Sequence, residues 1–592
     1  MNRIVFVADL FWFDGSVGGA ELCDGAIIEE LIYKKYSNFR EWMVLCAPSH
    51  LVSPDFIEKN KESFFIISNF MRLSEQSKKH LADHDLNYII IEHDHKYITT
   101  NNPALYKNFL CREDHLQNQE FYRKARYVMC QSTLHTEILY KNLLLTNLVN
   151  LKGNLWLDLH LDILEKQIEN KVEENRKFHK DEDQKAYERK KDGLRRWWKT
   201  SVINSDNPNK GTPQSIKYCQ DNNLEIGMIP PQVWKEFMTS LAFTETLVFL
   251  PTWVESFNRV CVEARVLGCK IVTNQNLGCA SDGWLQYKGT EMLQKVRDVK
   301  KEILSIYDDI IQNKDENIET YIPLQKLPRV SIITTFVEAE EYVEEFLRHI
   351  CQQTIFEDID LIICDAGSTG QEREIIEKYC QKYSNIEYVR TEEKIGSSEA
   401  FNLMIQKTKN GLIGMISMDD RPTPDYAEIL RKHLYFSKTD LVYGDCWTTS
   451  EKNINLIGLD CKKKPLPNPL YEHSQNDFTR ENMIKSLPGP MPMFKKSMIE
   501  RNGGFDTNYK HVNDWELWLR CVRGGSEFQK VHTPVGAYYH NPAGVTTSKK
   551  TFHSKLKEEN KVFLEYIDVL GEYNHHIYKE YFGQLNQKEK SL

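Results

Sequence analysis

The chain has 592 residues, 41% of them hydrophobic, and a formal net charge of −9 at pH 7. This length is far above that of one domain and predicts three or four lobes with substantial cores. The negative charge argues against a protein that coats nucleic acid, although a local basic patch stays open. The 14 cysteines form no C-x2-C pair, which favours reduced thiols in a cytosolic protein over a disulfide framework or a zinc site.

The chain begins with a predicted strand at residues 3–9 (RIVFVAD), followed by Gly18, Gly19 and a helix to about Lys34. Glycines between a strand and a helix let backbone amides approach a phosphate group. Because the predicted strand starts almost at the first residue, we expect no signal peptide. No apolar run reaches about 18 residues, so we also expect a cytoplasmic protein. Peripheral contact with the inner face of the membrane is left open.

A second pattern lies at residues 249–264 (FLPTWVESFNRVCVEA). It predicts a strand that ends in Pro-Thr and a helix that begins near Ser256, with Glu255 and Glu263 at E-x7-E spacing. The start of such a helix favours anions.

Together with Gly18 and Gly19, this pattern resembles the retaining glycosyltransferases of family 4, which have the two-lobed GT-B fold. The resemblance implies that Glu255 lies near the transferred sugar as a catalytic residue. It also implies that Glu263 binds the nucleotide ribose and that both glycines bind the donor.

The same resemblance assigns Lys210 to phosphate binding and either His93 or His95 to the donor site. Departures from the family are an unusually short second lobe, Asn258 in place of a glycine, and no clear equivalent of the arginine before the lysine motif. The N-terminal half is therefore either a second enzyme or a degenerate binding or scaffold unit.

Further along, three buried strands alternate with helices between residues 329 and 389, which predicts a βαβαβ order and a mostly parallel sheet. The apolar run at 411–416 predicts another buried strand, and Asp419 and Asp420 follow it. In open α/β sheets, ligands bind at the carboxyl ends of strands. Two carboxylates there suit Mg²⁺ or Mn²⁺ held against a diphosphate.

Residues 328–548 resemble the inverting glycosyltransferases of family 2, which have the GT-A fold. The resemblance rests on five segments in the right order: VSIITTF, DAGST, SMDD, GGFD and NDWELWLR. It implies that Asp365 and Thr335 bind the donor, with Asp365 on the uracil or other base. It also implies that Asp419 binds the ribose or assists the metal.

By the same resemblance, Asp420 and His540 are metal ligands, and His540 is alternatively a diphosphate contact. Asp514 matches the catalytic base, which takes the proton of the acceptor hydroxyl. A sugar hydroxyl is a poor nucleophile near neutral pH, so a positioned carboxylate must accept its proton. A helix N-cap is the alternative role for Asp514, and Asn513 stands where the family has an acidic residue.

Between the two halves, residues 164–199 are rich in charge and predict an exposed helix or helical hairpin. Its basic end with two tryptophans could instead bind anionic lipid or nucleic acid. The predicted domains are a first Rossmann-like lobe (1–163), the charged helical insertion (164–199), a second lobe (200–311), a linker (312–328), a GT-A domain (329–550) and a helical tail (551–592).

We therefore predict an α/β protein: a GT-B unit of two Rossmann-like lobes, the second shortened, then a GT-A domain and a helical tail. Its expected activity is sugar transfer from a nucleotide-sugar, such as a UDP-sugar, to a glycan or lipid-linked glycan in surface polysaccharide or lipopolysaccharide synthesis. One alternative keeps only the C-terminal site active, and another has a modified DNA base or a protein as acceptor. The tail packs back as helices or mediates homo-oligomers.

Overall fold

A computed structural model describes residues 3–14, 18–33, 43–180, 198–459, 469–485, 487–542, 544, 551–571, 574 and 576, with the backbone alone at 171–180 and 485. The chain divides into an N-terminal unit (Met1–Cys111 and His115–Leu324) and a C-terminal unit (Arg112–Asp114 and Gln325–Leu592). In the part of the chain so described, no helix is both long and apolar enough to cross a membrane.

The first lobe of the N-terminal unit is built on a parallel sheet with the strand order β2-β1-β3-β4-β5-β6. Runs such as FFII and YIII are buried along their whole length, as expected when helices cover both faces of a parallel sheet. The elements are β1 (Arg3–Ala8), α1 (Gly19–Tyr33), β2 (Met43–Pro48), α2 (Pro54–Lys59), β3 (Phe64–Ile67), α3 (Glu75–Asp83), β4 (Tyr88–Ile91), α4 (Gln119–Lys124), β5 (Tyr127–Cys130), α5 (Thr133–Leu143) and β6 (Leu148–Asn150).

The second lobe of this unit has a smaller parallel sheet with the strand order β10-β9-β7-β8. Two Rossmann-like parallel sheets thus follow one another, as the sequence predicted. The elements are α6 (Asp158–Lys180), β7 (Trp198–Ile203), α7 (Thr212–Asp221), β8 (Ile226–Ile229), α8 (Trp234–Ala242), β9 (Thr244–Val248), α9 (Arg259–Val266), β10 (Lys270–Val272), α10 (Gly278–Ser281) and α11 (Gly289–Ile311).

Helix α11 belongs to both lobes. Met292 and Val296, in its first half, lie in the core of the second lobe, whereas Leu304 and Tyr307 lie in the core of the first lobe. A single apolar stripe along this helix therefore holds the two sheets together, since burial of apolar area is the main stabilising term.

The charged segment predicted at 164–199 begins as part of a longer helix. Helix α6 starts at Asp158, and Leu161 and Leu164 are buried in the core of the second lobe. Residues 181–197, which include most of the basic tryptophan-rich end, lie outside the described residues.

The C-terminal unit has a mixed sheet with the strand order β13-β12-β11-β14-β18-β16-β19-β15, and β17 pairs with β16. Strands β11 to β14 are mutually parallel where they pair, which confirms the predicted βαβαβ order, and β18 runs antiparallel to β14. The elements are β11 (Val330–Phe336), α12 (Glu340–Cys351), β12 (Ile359–Asp365), α13 (Glu372–Lys382), β13 (Ile386–Arg390), α14 (Ser397–Lys407), β14 (Leu412–Met415), β15 (Arg421–Pro422), α15 (Tyr426–Ser437), β16 (Leu441–Thr449), β17 (Tyr471–His473), β18 (Met493–Lys495), α16 (Lys496–Asn502), α17 (Asn513–Arg523), β19 (Phe528–Tyr539), α18 (Phe552–Glu565) and α19 (Ile567–Leu570).

The tail packs back on this unit through α18 and α19. Val562, Phe563 and Leu570 are buried in the same core as Trp518 of α17. The described part of the tail therefore stabilises the region around α17, and self-association through the tail stays a prediction.

Candidate active sites

The carboxyl ends of β11 and β12 carry two of the predicted donor-binding residues. Thr335 pairs in register with Cys364 and is half-buried, and its Oγ1 donates a hydrogen bond to the Cys364 carbonyl at 3.0 Å. Phe336 pairs with Asp365, the last residue of β12. The parallel register therefore brings Thr335 and Asp365 to the same edge of the sheet.

Asp365 is 1% exposed and holds its own loop in place. Its Oδ1 accepts the Ser368 N–H at 2.7 Å, and its Oδ2 accepts the Tyr388 hydroxyl at 2.7 Å. The Arg390 Nε lies 3.7 Å from the same Oδ2. Burial and the Asp365 hydrogen bond raise the pKa of Tyr388. A carboxylate has about four lone-pair sites, so these contacts leave Asp365 acceptor capacity for a ligand.

Asp419 and Asp420 lie in the turn between β14 and β15, beside the end of β19. Asp420 is 2% exposed, and its Oδ1 accepts the Tyr539 N–H at 3.0 Å. Asp419 is half-buried, and its Oδ2 accepts from the Asn541 Nδ2 at 3.2 Å. Burial and then the charge of Asp419 raise the pKa of Asp420 well above its usual value.

The neighbouring Arg421 fixes this turn through backbone groups. Its Nη1 donates to the carbonyl oxygens of Met418 and Asp420, at 2.9 and 2.6 Å, and its Nη2 donates to the Asn453 side chain. The guanidinium hydrogen bonds therefore hold the loop, and the two carboxylates keep an excess of negative charge.

That charge fits a divalent cation. Within the described ranges, no three His, Cys, Asp or Glu side chains are grouped so as to hold a metal ion. The predicted ligand His540 is exposed and follows Tyr539 directly, with its backbone N–H bonded to the Thr449 carbonyl at 2.9 Å. Mg²⁺ sites often consist of one or two carboxylates plus substrate phosphates and water, which Asp419 and Asp420 match.

Asp514 lies in the first turn of α17 and is half-buried. Its Oδ1 accepts the Trp515 N–H at 2.8 Å, while the N-cap residue of the helix is Val512. Burial raises the pKa of Asp514, and backbone hydrogen bonds and the charge of Lys555 partly offset this effect. A carboxylate with a raised pKa is a better proton acceptor, which suits the predicted base.

The two tryptophans of α17 belong to the core. Trp515 is 6% exposed and Trp518 is 1% exposed. The Trp515 Nε1 donates to the Met483 carbonyl at 2.7 Å, and Trp518 packs against the Phe505 and Phe528 rings. Their burial fixes α17, the helix that carries Asp514, against the core of the C-terminal unit.

In the N-terminal unit, the predicted glycine turn lies at the start of α1. The Gly18 N–H donates to the Glu21 Oε2 at 2.8 Å, and the Glu21 Oε1 accepts from the Asn69 Nδ2 at 3.2 Å. Gly19 is the first residue of the helix. One amide at the predicted phosphate-binding turn is therefore already bonded to a carboxylate.

His93 is 3% exposed and is engaged at both ring nitrogens. Its Nε2 lies 3.0 Å from the Ser68 Oγ and 3.4 Å from the Asp24 Oδ1, and its Nδ1 faces the Gln131 side chain. Gln131 also accepts from the Ser256 Oγ at 3.3 Å. A buried polar chain thus connects His93, through Gln131, with Ser256 of the E-x7-E segment.

His95 is fully buried, and its Nδ1 lies 3.0 Å from the Tyr97 hydroxyl. Burial and then the charge of His135 hold the pKa of His95 well below its usual value. Asp94, between the two histidines, has a side chain that is 61% exposed, and its charge acts on Lys210. Among residues 93–95, the exposed side chain is therefore that of Asp94, and the donor-site role of either histidine stays a prediction.

Lys210 and Glu255 are in direct contact. The Lys210 Nζ lies 2.8 Å from the Glu255 Oε1, and the Asn258 Nδ2 donates to the Glu255 Oε2 at 3.0 Å. Burial opposes the charged form of Lys210, but Glu255 outweighs it and raises the pKa of Lys210. The structure thus brings together two of the predicted N-terminal site residues.

The E-x7-E helix begins at Arg259, so the predicted start near Ser256 is wrong. Asn258 adopts a φ of 75° and accepts the Cys261 N–H at 2.9 Å, so it caps the helix. Asparagine tolerates positive φ better than most residues, which explains how it stands where the family has glycine. Glu255 therefore lies before the helix, where its backbone forms an isolated β-bridge with Leu277.

Glu263 is 2% exposed and lies among aromatic rings. Its Oε1 accepts from the Trp156 Nε1 at 2.9 Å and from the Trp234 Nε1 at 3.3 Å. Its observed partners are therefore protein groups, and the ribose contact stays a prediction.

Sequence reasoning missed several neighbours of these sites. Two of them were open to detection, since Asn541 follows His540 and Arg259 lies inside the E-x7-E segment. The others occupy positions that no motif marks: Tyr388, Arg390, Asp94 and Gln131.

Residues 331–503 match the model of glycosyl transferase family 2. An uncharacterized glycosyltransferase of Methanocaldococcus jannaschii is 23% identical over 34% of this chain and 67% of its own length. Chondroitin synthase of Pasteurella multocida is 25% identical over 38% of this chain and 22% of its length. Teichoic acid poly(glycerol phosphate) polymerase of Staphylococcus epidermidis is 30% identical, over 40% of this chain and 33% of its length.

Among solved structures, S. aureus TarS 1–349 in complex with UDP-GlcNAc is 15% identical with a TM-score of 0.33, over 41% of this chain and 71% of that chain. The chain spans only about a fifth of the Pasteurella synthase and about a third of the polymerase. It therefore contains a glycosyl transferase family 2 region and is related to polysaccharide synthases.

Proposed function

We propose that the C-terminal unit is an inverting glycosyltransferase that uses a nucleotide-sugar donor. The observation that carries this proposal is the arrangement of Asp365, the Asp419–Asp420 pair and Asp514. Asp365 and the Asp419–Asp420 pair lie at strand ends in the region that matches family 2, and Asp514 lies in the first turn of α17, beyond that region. Carboxylates so placed suit donor binding and proton removal in one site.

The proposed reaction is a direct displacement. The Asp514 carboxylate accepts the proton of an acceptor hydroxyl while that oxygen bonds to the anomeric carbon. The bond from this carbon to the diphosphate breaks, and the nucleoside diphosphate leaves with the electron pair. Attack from the opposite side inverts the configuration at that carbon.

Asp420 and Asp419 would hold Mn²⁺ or Mg²⁺, which neutralises the charge on the leaving diphosphate when bound. The protein itself orients these carboxylates, because Tyr539 fixes Asp420 and Asn541 contacts Asp419. Asp365, whose Oδ2 accepts the Tyr388 hydroxyl, would bind the base of the nucleotide.

The proposed acceptor is a growing glycan or a lipid-linked glycan of a surface polysaccharide. The relation to chondroitin synthase, hyaluronan synthase and a teichoic acid polymerase supports this class. A modified DNA base or a protein is the alternative acceptor, and strong salt dependence of DNA binding would favour it. The basic, tryptophan-rich end of residues 164–199 suggested the DNA acceptor, and most of this end lies outside the described residues.

The N-terminal unit is proposed to bind a second nucleotide-sugar in a GT-B arrangement. The contact between Lys210 and Glu255, with Asp94 nearby, supports this role. The lysine ammonium would bind a phosphate group, and the carboxylates would accept hydrogen bonds from sugar hydroxyls. Either the unit transfers this sugar with retention, or it binds donor or acceptor only.

Hydrolysis and transfer of a panel of nucleotide-sugars, with and without Mn²⁺, test both units. Wild type is compared with Asp514→Asn and Glu255→Gln, and with Glu500→Gln as a control at an exposed carboxylate of α16. Transfer lost only in Asp514→Asn supports one active C-terminal enzyme. A second donor whose turnover is lost only in Glu255→Gln supports two enzymes, and full transfer by Asp514→Asn rejects the assigned base.

A further inference from the structure

Helix α18 of the tail contacts the loop that leads into α17. Its Glu558 side chain accepts two consecutive backbone N–H groups of this loop at Oε2: that of His511 at 2.7 Å and that of Lys510 at 3.0 Å. These amides lie three and four residues before Asp514. Hydrogen bonds to a charged acceptor are strong, so this pair fixes the path of the backbone just ahead of the proposed base.

Further contacts of α18 with this loop lie on the same side of the helix. The Ser554 Oγ lies 2.9 Å from the His511 Nε2, and the Glu565 Oε2 accepts the Tyr509 hydroxyl at 3.0 Å. Ser554, Glu558 and Glu565 are separated by four and then seven residues, a spacing that places them on one side of a helix. One side of α18 therefore contacts the whole loop.

The same loop also contacts α14. The Ser398 Oγ, in the first turn of α14, donates to the Tyr509 carbonyl at 3.3 Å. Tyr509 itself is 3% exposed and belongs to the core of the C-terminal unit. The loop before Asp514 is thus held between α14 and the tail.

Glu558 is not needed to attach the tail. Val562, Phe563 and Leu570 are buried in the core and already attach it. Glu558 is only half-buried, and hydrogen bonds that water can reach contribute modestly to stability, because water competes for the same groups. Its two bonds therefore matter more for the orientation of the loop than for the stability of the fold.

Helix α18 also brings a cation to the proposed base. Lys555 lies one turn before Glu558, and its charge lowers the pKa of Asp514, against the larger effect of burial. The other groups that lower this pKa are backbone N–H groups, including that of Trp515. The Lys555 Nζ lies 3.7 Å from the Glu559 Oε1, so its charge is shared with a carboxylate of the same helix. The position of α18 thus affects the ionisation of the base as well as its location.

We propose that Glu558 is a positioning residue for Asp514 and that α18 is a functional part of the C-terminal site, which rests on the proposed role of Asp514 as the base. By holding two amides just before α17, Glu558 fixes where the first turn of that helix presents the carboxylate. Displacement of a reacting group by about 1 Å can cost about a hundredfold in rate. Glu558 acts through Asp514 and not on the donor.

Hydrogen–deuterium exchange of the full chain tests the positional part directly. Glu558→Ala should speed exchange of the Lys510 and His511 amides at least tenfold, because both lose their acceptor. Asp568→Asn is the matched control, since the Arg523 Nε donates to the Asp568 Oδ2 at 3.1 Å and attaches the tail at the last turn of α17. Unchanged exchange at residues 510–511 in Glu558→Ala, or the same increase in the control, would overturn the proposal.

Hydrolysis of a panel of UDP- and GDP-sugars tests the functional part. Glu558→Ala should lower kcat about tenfold with little change in donor KM, since a misplaced base slows the chemical step. Glu558→Gln should recover most of the rate, because its amide oxygen still accepts from the loop. Asp568→Asn should keep the wild-type rate. A kcat loss of equal size in Glu558→Ala and Asp568→Asn, or a loss confined to KM, would overturn the role of Glu558.

The pH profile separates an active-site role from tail attachment. Lys555→Met removes a positive charge that favours the Asp514 carboxylate, so the acid limb of kcat/KM should move to higher pH, whereas Asp568→Asn should leave it in place. An unmoved limb in Lys555→Met would overturn the functional role of α18. Hydrolysis that Asp514→Asn abolishes but Glu558→Ala leaves intact would overturn this inference alone, whereas hydrolysis unchanged in Asp514→Asn would overturn the proposed function.

Discussion

Asn513 and Ser398 join the first turns of two helices, with the Asn513 Nδ2 donating to the Ser398 Oγ at 2.7 Å. A second bond runs from the same Nδ2 to the Ser397 Oγ at 3.1 Å. Ser397 starts α14, which follows the carboxyl end of β13, and Asn513 starts α17. Asp514 is the next residue, so these hydrogen bonds connect the proposed base with the helix that follows the carboxyl end of β13.

Asn513 is therefore expected to be a positioning residue. Asn513→Ala should lower kcat about ten- to a hundredfold with little change in donor KM, since small misplacements of a reacting group are costly. Asn513→Asp should restore most of the rate, because serine hydroxyls can donate to a carboxylate. Steady-state kinetics measure both, and a KM effect without a kcat effect would contradict this role.

Asp514→Asn should lower the transfer rate by about 10²- to 10⁴-fold, the range of general base catalysis. The amide has nearly the same shape and keeps an oxygen that can accept the Trp515 N–H. Donor binding should therefore persist, which equilibrium titration can verify. Glu500→Gln is the matched control and should transfer at the wild-type rate.

The raised pKa of Asp514 predicts two pH effects. Only the ionised carboxylate accepts a proton, so kcat/KM should fall with decreasing pH through a pKa above that of an ordinary aspartate. A folded-state pKa above the unfolded value favours folding at low pH and loses that contribution as pH rises. Asp514→Asn should therefore raise Tm at neutral pH, and an unchanged Tm difference between pH 4 and pH 8 would contradict the shift.

Asp420→Asn should abolish the stimulation of turnover by Mn²⁺ while leaving the fold intact. The amide oxygen can still accept the Tyr539 N–H, and removal of one charge relieves repulsion from Asp419. Asp419→Asn should raise the Mn²⁺ concentration needed for half-maximal turnover at least tenfold, because one of two hard oxygen ligands is weakened. Metal titrations of donor hydrolysis measure this, and equal Mn²⁺ dependence in all three proteins would remove both residues from the metal site.

Lys210→Met and Glu255→Gln should each weaken nucleotide binding by the N-terminal unit, and their effects should not add. The two side chains are 2.8 Å apart, so each variant removes the same contact. A double-mutant cycle of UDP affinity measures the coupling. Strict additivity would show that the pair does not act together, and Glu245→Gln is a control at an exposed glutamate of β9.

Much of the scaffold follows from local patterns. The apolar runs before Asp365 and Asp419 end where strands end, because continuous burial on both faces of a parallel sheet requires such runs. Asp514 lies near a helix start because the residues that follow it have the apolar spacing of a helix. These strand ends and this helix start depend on residues that are adjacent in the chain, so they can be predicted from one sequence.

Other features depend on residues far apart in the chain. Tyr388 holds Asp365, and Asn541 contacts Asp419 across a separation that only the folded sheet closes. His95 itself adopts a backbone φ of 54°, and both His93 and His95 are buried while Asp94 is exposed. Nothing in the pattern His-Asp-His reveals which of these side chains is exposed, and the donor-site role of His93 or His95 stays a prediction.

The helix start at Arg259 gives the last prediction, at Asn258. Asn258→Ala removes the cap on Cys261 and places a Cβ-bearing residue without a polar side chain at a φ of 75°. The lost cap and the strain together should cost roughly 2–3 kcal/mol. Asn258→Gly loses the same hydrogen bonds but tolerates this φ, so it should cost about 1 kcal/mol less than Ala. Urea unfolding of the N-terminal unit measures the difference, and equal midpoints for Ala and Gly would show that backbone strain does not select this residue.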